Sequence, residues 1–303
     1  MDITVHSGNL PIYVSTGGSR DQTGTATGRR LIDLTQWGIE LSGGAWDTAV
    51  HENCLALASQ RPVLLHNYFP VPRNPFVLNL SATSPEALQV AVQHCEQAIA
   101  LSGEAGAHVF AVHAGFLADV PVSQLGKRID RTPLADREQS LRQMGEVLGD
   151  LAYVADRCGV RLLVENHALS PGNLASFGEN FLLLVDPDEI REFIAHMDGR
   201  VGLLLDVGHL RTSAEALAFD PVAALRDLDP IVEAYHLSDN DGASDEHAAL
   251  SDSSWFLPHI SSGKLAYTVE IHDPDVDSWV ASADLLARWL QRTSCERTGP
   301  EGG

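Results

Sequence analysis

The sequence predicts a single-domain α/β protein, a (β/α)8 barrel. Three observations predict it. Short apolar runs rich in Val, Leu and Ile recur eight times; helical patterns lie between them; and no Pro/Gly/Ser linker or low-complexity block divides the 303 residues. Runs without strict polar alternation suit strands buried on both faces, and eight strand–helix units in about 290 residues match a closed barrel in count and length. A doubly wound open sheet is the alternative. It calls for a Gly-rich phosphate loop after the first strand, and the segment GNLPIYVSTGG after the first run contains no GxGxxG.

The runs, in order, are DITVH near residue 4, WGIELSG at 37–43, VLLHNYF at 63–69, HVFAVHAG at 108–115, RLLVENH at 161–167, VGLLLDVGH at 201–209, IVEAYHLSD at 231–239 and LAYTVEIHD at 265–273. Among the helical stretches, SPEALQVAVQHCEQAIALSG opens with Ser84 as N-cap and Pro85 at the first helical position, and it ends at Gly103. LADREQSLRQMGEVLGDLAYVADRCG ends at Gly159, DPDEIREFIAHMDG starts on an acidic cap and Pro, and VDSWVASADLLARWLQR leads to the C-terminus. Residues 1–293 are assigned to the barrel and 294–303 to an unstructured tail. The amphipathic stretches 84–102 and 135–157 are read as outer-ring helices.

Composition narrows the function. The chain has 20 Lys+Arg against 41 Asp+Glu, a formal charge of −21. A protein that grips a phosphate backbone shows a basic surplus instead, so the expected partner is a small molecule, not nucleic acid. The N-terminus MDITVHSGNL has neither a basic nor an apolar targeting region, and the apolar runs are far short of a membrane span. The four cysteines, Cys54, Cys95, Cys158 and Cys295, form no CxxC pair and read as free thiols of a cytoplasmic protein. A homo-oligomer is compatible with all of this.

The informative pattern is where polar residues end the apolar runs: His66, His113, Glu165, Asp206 with His209, His236 and Glu270. In a barrel these C-terminal strand ends converge on the mouth where active sites lie. One strand-end His is ordinarily a packing residue. Six ends bearing His, Glu or Asp would gather three acids at one rim, which calls for a cation. The mixed carboxylate and imidazole set suits Zn²⁺, Mn²⁺, Fe²⁺ or Co²⁺ and lacks the thiolates of a structural zinc site. The segment HLSDNDGASDEH adds Asp239, Asp245 and His247.

VEN at 164–166, DVGH at 206–209, HLSDNDGxxDEH at 236–247 and VEIHD at 269–273, taken in order, resemble the xylose isomerase-like barrel superfamily, which holds sugar isomerases and epimerases and endonuclease IV. The resemblance spans residues 4 to 290. For the ketose epimerases it implies one divalent metal on Glu165, Asp206, His236 and Glu270, with the two glutamates as acid and base and His209 on the substrate. For the endonuclease IV branch it implies up to three metals, with His66, His113, His209, Asp245 and His247 as further ligands and Glu165 bridging two ions. The segment AALSDSSWFLPH after DEH departs from relatives that carry a Gly-containing return, and no basic DNA-wedging loop is present.

The favoured expectation is a metal-dependent isomerase or epimerase of a sugar or related polyol, in which Glu165 and Glu270 transfer a proton through a metal-stabilised enediolate. The alternatives are a multinuclear hydrolase of a small phosphoester and an iron-dependent oxidative enzyme on the same ligands. Asn67, Asn166, His209 and Arg211 are expected to bind substrate, and one to three metal ions per chain are expected. Further candidates are His6, Glu40, His167, His272, Tyr68 and Lys264, each weighed against plain packing or surface charge. Phe116, Phe177 and Trp255 either roof the pocket or pack on the rim. The Gly-rich segment 170–180 is read as a lid.

Overall fold

The computed structural model describes residues 10–19, 21–124, 127 and 129–297. Eight strands, β1 (Ile12–Ser15), β2 (Gly38–Leu41), β3 (Val63–His66), β4 (Val109–His113), β5 (Arg161–Glu165), β6 (Gly202–Asp206), β7 (Val232–Leu237) and β8 (Ala266–Val269), close into a barrel in chain order. All pairs are parallel, and β1 also pairs with β8, so no sheet edge is left open. Outside them lie α1 (Gly24–Leu34), α2 (Val50–Ala58), α3 (Pro85–Glu104), α4 (Arg137–Cys158), α5 (Pro171–Phe177), α6 (Pro187–His196), α7 (Val207–Leu217), α8 (Pro221–Leu228) and α9 (Val276–Arg297).

Seven strands fall on the expected runs. The first does not. β1 is IYVS, within the segment read as a loop, while DITVH and His6 lie outside the described residues. A four-residue strand hemmed by Pro11, Thr16 and two glycines gives little periodic signal. It is fixed by tertiary pairing, with Tyr13 opposite Gly38 on β2 and Thr268 on β8. At the other end α9 runs on to Arg297, past the boundary drawn at 293.

The helix starts follow their capping chemistry. Ser84, Asp136, Ser170, Asp186 and Asp220 each accept a hydrogen bond from a backbone N–H in the first turn, and Gly159 ends α4 at φ 71°. At the barrel's lower end Arg161 donates two hydrogen bonds to Glu233, at 2.6 and 2.8 Å, and further ones to the Gly199 and Arg200 carbonyls. At the upper end Arg137 joins α4 to Glu189 and to the carbonyls of Asn180 and Leu182. Cys54 and Cys95 are buried free thiols whose pKa burial pushes up to about 12, which makes them inert packing groups. Among the described residues no helix is long and apolar enough to cross a membrane.

The β1–β2 contact sets a sharp volume limit. A Cβ on Gly38 would lie 2.4 and 2.5 Å from ring carbons of Tyr13 and 3.2 Å from the Pro62 carbonyl. Gly38→Ala is therefore expected to destabilise the fold by about 1–3 kcal/mol through overpacking. An unchanged urea midpoint would show that the ring moves aside freely.

Candidate metal centre

The strand ends deliver the donors. His66 ends β3, His113 ends β4, Glu165 ends β5, Asp206 ends β6, His236 lies near the end of β7 and Glu270 directly follows β8. His209 enters from the first turn of α7, and Asp245 and His247 from the connection after β7. All nine expected ligands come together at one mouth. His66 Nε2 and His113 Nε2 lie 3.1 and 3.0 Å from Glu165 Oε2. Glu165 Oε1 is 3.5 Å from His236 Nδ1 and from His209 Nδ1. Glu270 Oε2 is 3.2 Å from His236 Nδ1. Asp245 Oδ2 stands 3.1 Å from His209 Nε2 and 2.9 Å from His247 Nε2.

These contacts are close without being aligned hydrogen bonds. Both Glu165 oxygens, Asp206 Oδ2 and His236 Nδ1 are buried with no hydrogen-bond partner. A buried carboxylate without donors is costly. Donor atoms about 3.0–3.5 Å apart are, however, the edges of a coordination shell with bonds of about 2.0–2.2 Å. The residues therefore fit a divalent ion. The donors divide into several groups, including His66–His113–Glu165, Glu165–Asp206–His209, His209–Asp245–His247 and His247–Glu270–His272.

Neighbouring groups aim these donors. Asp206 uses Oδ1 to cap α7 through the His209 N–H at 2.8 Å, which leaves Oδ2 inward. His209 Nδ1 meets the Asn166 carbonyl at 2.7 Å, which turns Nε2 toward Asp245. His236 Nε2 is held by Glu40 Oε2 at 3.0 Å, and Thr268 Oγ1 donates to the same oxygen at 2.9 Å. That leaves His236 Nδ1 as the inward nitrogen. A carboxylate behind a ligating imidazole fixes its tautomer and raises its basicity. Glu40 was expected at the mouth; it sits beneath it and supports His236.

Charges in the metal-free cluster follow from this crowding. Burial raises the Glu165 pKa, but the charges of His113, His66 and His236 outweigh it and hold the group well below the usual carboxylate range. Burial likewise opposes ionisation of Glu270 and Asp245, and His236, His247 and His209 more than reverse it. Burial keeps Asp206 raised, helped by the charges of Asp245 and Glu165 and opposed by His209. His209 and His236 are pushed well up by their carboxylates despite burial. His247 rises to about 9, with burial opposed by its contact to Asp245 and by Glu270.

Some expectations for the surroundings fail, and several open readings resolve as packing. Asn166 does not line the cavity: its amide accepts from the Asp206 N–H at 2.8 Å and donates to the Asp206 carbonyl at 3.1 Å, tying β5 to β6. Arg211 is drawn to Asp239 at 3.0 Å and does not line the cavity. Lys264 bonds the Asp229 carbonyl at the start of β7, away from the mouth. His167 is buried with its pKa lowered by burial to about 3, and Nε2 meets the Ala114 carbonyl at 2.6 Å. Within segment 170–180, Pro171–Phe177 form the capped helix α5, and Ser170, Gly172, Asn173, Ala175 and Ser176 border the cavity; Phe177 instead stacks on Phe181 in a small second core. Trp255 packs against the main core. Asn67, Tyr68, Phe116, His209 and His272 do line the cavity above the centre, which has a volume of about 990 Å³.

A parallel eightfold barrel with carboxylates and imidazoles at its C-terminal mouth defines a class of barrel enzymes, and the sequence specifies which one. Residues 40–288 match the family model described as xylose isomerase-like TIM barrel, and the chain belongs to that family. No curated protein is significantly similar to it in sequence. Among solved structures, a D-tagatose 3-epimerase-like protein superposes with a TM-score of 0.68 at 17% identity, covering 95% of this chain and 100% of the other. D-psicose 3-epimerase from Clostridium cellulolyticum, with D-tagatose, gives 0.65 at 12%, covering 93% and 99%. The TTHB071 protein from Thermus thermophilus, soaked with ZnCl2, gives 0.61 at 19%, also covering 93% and 99%. At such identities the likeness is one of fold.

The raised histidines make a pH prediction. Below about 6.5 His247 is protonated in both folded and unfolded chains, and its contribution to stability is complete. That contribution is lost as pH rises from about 6.5 through the folded value of about 9. Metal-free protein should therefore lose melting temperature across this window. Zinc, which replaces those protons, should flatten the profile. Identical pH profiles with zinc and with chelator would contradict the cation assignment.

Proposed function

We propose that this protein is a divalent-metal-dependent isomerase or epimerase of a sugar or related polyhydroxy small molecule. The observation that carries it is the set Glu165, Asp206, His236 and Glu270: four donors at four successive strand ends, the first three with buried oxygen or nitrogen atoms that no hydrogen bond satisfies. The neighbours named D-tagatose 3-epimerase-like and D-psicose 3-epimerase support a sugar as the substrate. A bound divalent ion would polarise adjacent carbonyl and hydroxyl oxygens and make the neighbouring C–H acidic.

The chain's own part is to remove that proton and return it. Glu270 is the better placed carrier. Its side chain is 11% exposed where Glu165 is 1% exposed, its Oε1 faces the rim toward His272, and the neighbouring histidines keep it ionised. Glu165 is enclosed by four imidazoles. One carboxylate suffices to move a proton between adjacent carbons, as an isomerase does. An epimerase needs a group on each face, and Glu165 is then the second. Asn67 and His209 border the cavity and are assigned to substrate hydroxyls.

One observation favours a second reading. His66 and His113 converge on Glu165 Oε2, and His209, Asp245 and His247 form a further donor group, which is more than one ion requires. A multinuclear hydrolase of a small phosphoester, or an iron-dependent oxidative enzyme, would use all nine donors. The charge of −21 opposes a polyanionic substrate such as DNA.

Two measurements separate the readings. Elemental analysis of protein purified without added metal should give one ion per chain, retained in His66→Ala; two or three ions, falling in that variant, would favour the multinuclear centre. For the proton transfer, Glu270→Gln should slow solvent deuterium incorporation into the substrate carbon at least about a hundredfold. Exchange at the wild-type rate would remove Glu270 from the reaction.

A further inference from the structure

The cavity over the strand ends has unlike parts. Its floor carries His113, His209, Asp245, His247 and His272. One side is apolar, with Tyr68, Phe76, Leu78, Phe116 and Leu182 contributed by the loops after β3, β4 and β5, while Ser170, Asn173, Ser176 and Thr212 line another part. Phe116 lies against the His167 ring at 4.7 Å, and His167 against that of His113 at 5.1 Å, so the wall begins one ring away from the centre. Phe76 and Phe116 are only half-buried, and apolar surface left open inside a concave site marks a place where a ligand binds.

The wall is held open. Tyr68 Oη donates to the Phe76 carbonyl at 2.8 Å and accepts from its N–H at 2.7 Å. Asn79 accepts from the Phe116 N–H at 3.0 Å and donates to its carbonyl at 3.1 Å, and Ser81 Oγ donates to that carbonyl at 3.0 Å. The Leu182 carbonyl is fixed by Arg137 at 2.8 Å. With both backbone groups of each phenylalanine tied to neighbouring side chains, the loop positions that carry the rings are fixed. Its volume, about 990 Å³, is at the upper end for small-molecule sites, and a free monosaccharide would leave most of it empty. Among the described residues Lys127 alone brings a Lys or Arg to the lining, and its Nζ bonds the Ser123 carbonyl, so the wall offers no basic cluster for a second phosphate.

We propose that the substrate is amphipathic: a polyhydroxy part seated at the strand-end donors, carrying an alkyl or aryl substituent that packs on the Tyr68–Phe76–Phe116 wall. This rests on the reading of the strand ends as a metal centre. The substituent removes apolar surface from water at about 0.8 kcal/mol per CH₂, close to fourfold in affinity.

The test uses a metal-binding head that does not depend on sugar stereochemistry. Acetohydroxamate, butanohydroxamate, hexanohydroxamate and octanohydroxamate are titrated calorimetrically into the zinc-loaded full-length protein. Affinity should rise two- to fourfold per added carbon and at least tenfold from acetohydroxamate to hexanohydroxamate. In Phe116→Ser and Phe76→Ser, both at half-buried positions, the ratio of octanohydroxamate to acetohydroxamate affinity should fall at least tenfold. Two variants guard against one that fails to fold, and the ratio is internal to each protein. Equal affinity across the series, or an unchanged ratio in both folded variants, would overturn the apolar subsite and leave the metal centre standing. Zinc that fails to load would overturn the metal-centre reading and the proposal with it; zinc-loaded protein that binds no hydroxamate would overturn the proposal alone.

Discussion

Three carboxylates, Glu165, Asp206 and Glu270, end three strands at one mouth and are turned away from water. That crowding is the constraint on which the rest of the upper barrel depends. Buried acids within contact distance repel one another unless positive charge lies between them. Here the positive charge comes from imidazoles, interleaved so that each carboxylate sees at least one. Protons on the imidazoles supply it, and a divalent ion would supply it at the same points. The elements behind the donors follow from this need. Glu40 and Thr268 fix His236, the Asn166 carbonyl fixes His209, and the Asn166 amide ties β5 to β6 beneath Glu165 and Asp206.

Much of this was legible in the sequence, because strand alternation and barrel closure convert order along the chain into position around a ring. Seven apolar runs fell where strands lie, and the His, Glu and Asp residues at their ends come together at one mouth. The helix caps at Ser84 and Asp186 were readable for the same reason: a local hydrogen bond decides them. β1 was not readable, since four residues between turn formers take their strand state from Gly38 and Thr268, far along the chain. The partners behind the donors were equally hidden. Glu40 and His236 are 196 residues apart, and only the closed barrel brings them together.

The loops divided in a similar way. Asn166 and Arg211 stand next to motif residues and were expected to meet substrate, but adjacency in sequence does not settle direction. Asn166 turns toward the Asp206 backbone and Arg211 toward Asp239. The apolar wall of the cavity instead comes from three separate connections, each ordinary by itself. A cavity wall is a property of packing across loops, and no single stretch of sequence contains it.

Asp206 joins fold and centre in one side chain. One oxygen starts α7 and the other faces the donors. A helix cap is worth about 0.5–2 kcal/mol and is served equally well by Asn or Ser, whereas a ligand position demands the charge. The two demands are separable. Asn or Ser at this position would keep the helix and the barrel while removing an acid from the mouth. The same fold can therefore be built with or without this charge, and superposition of backbones does not register the difference.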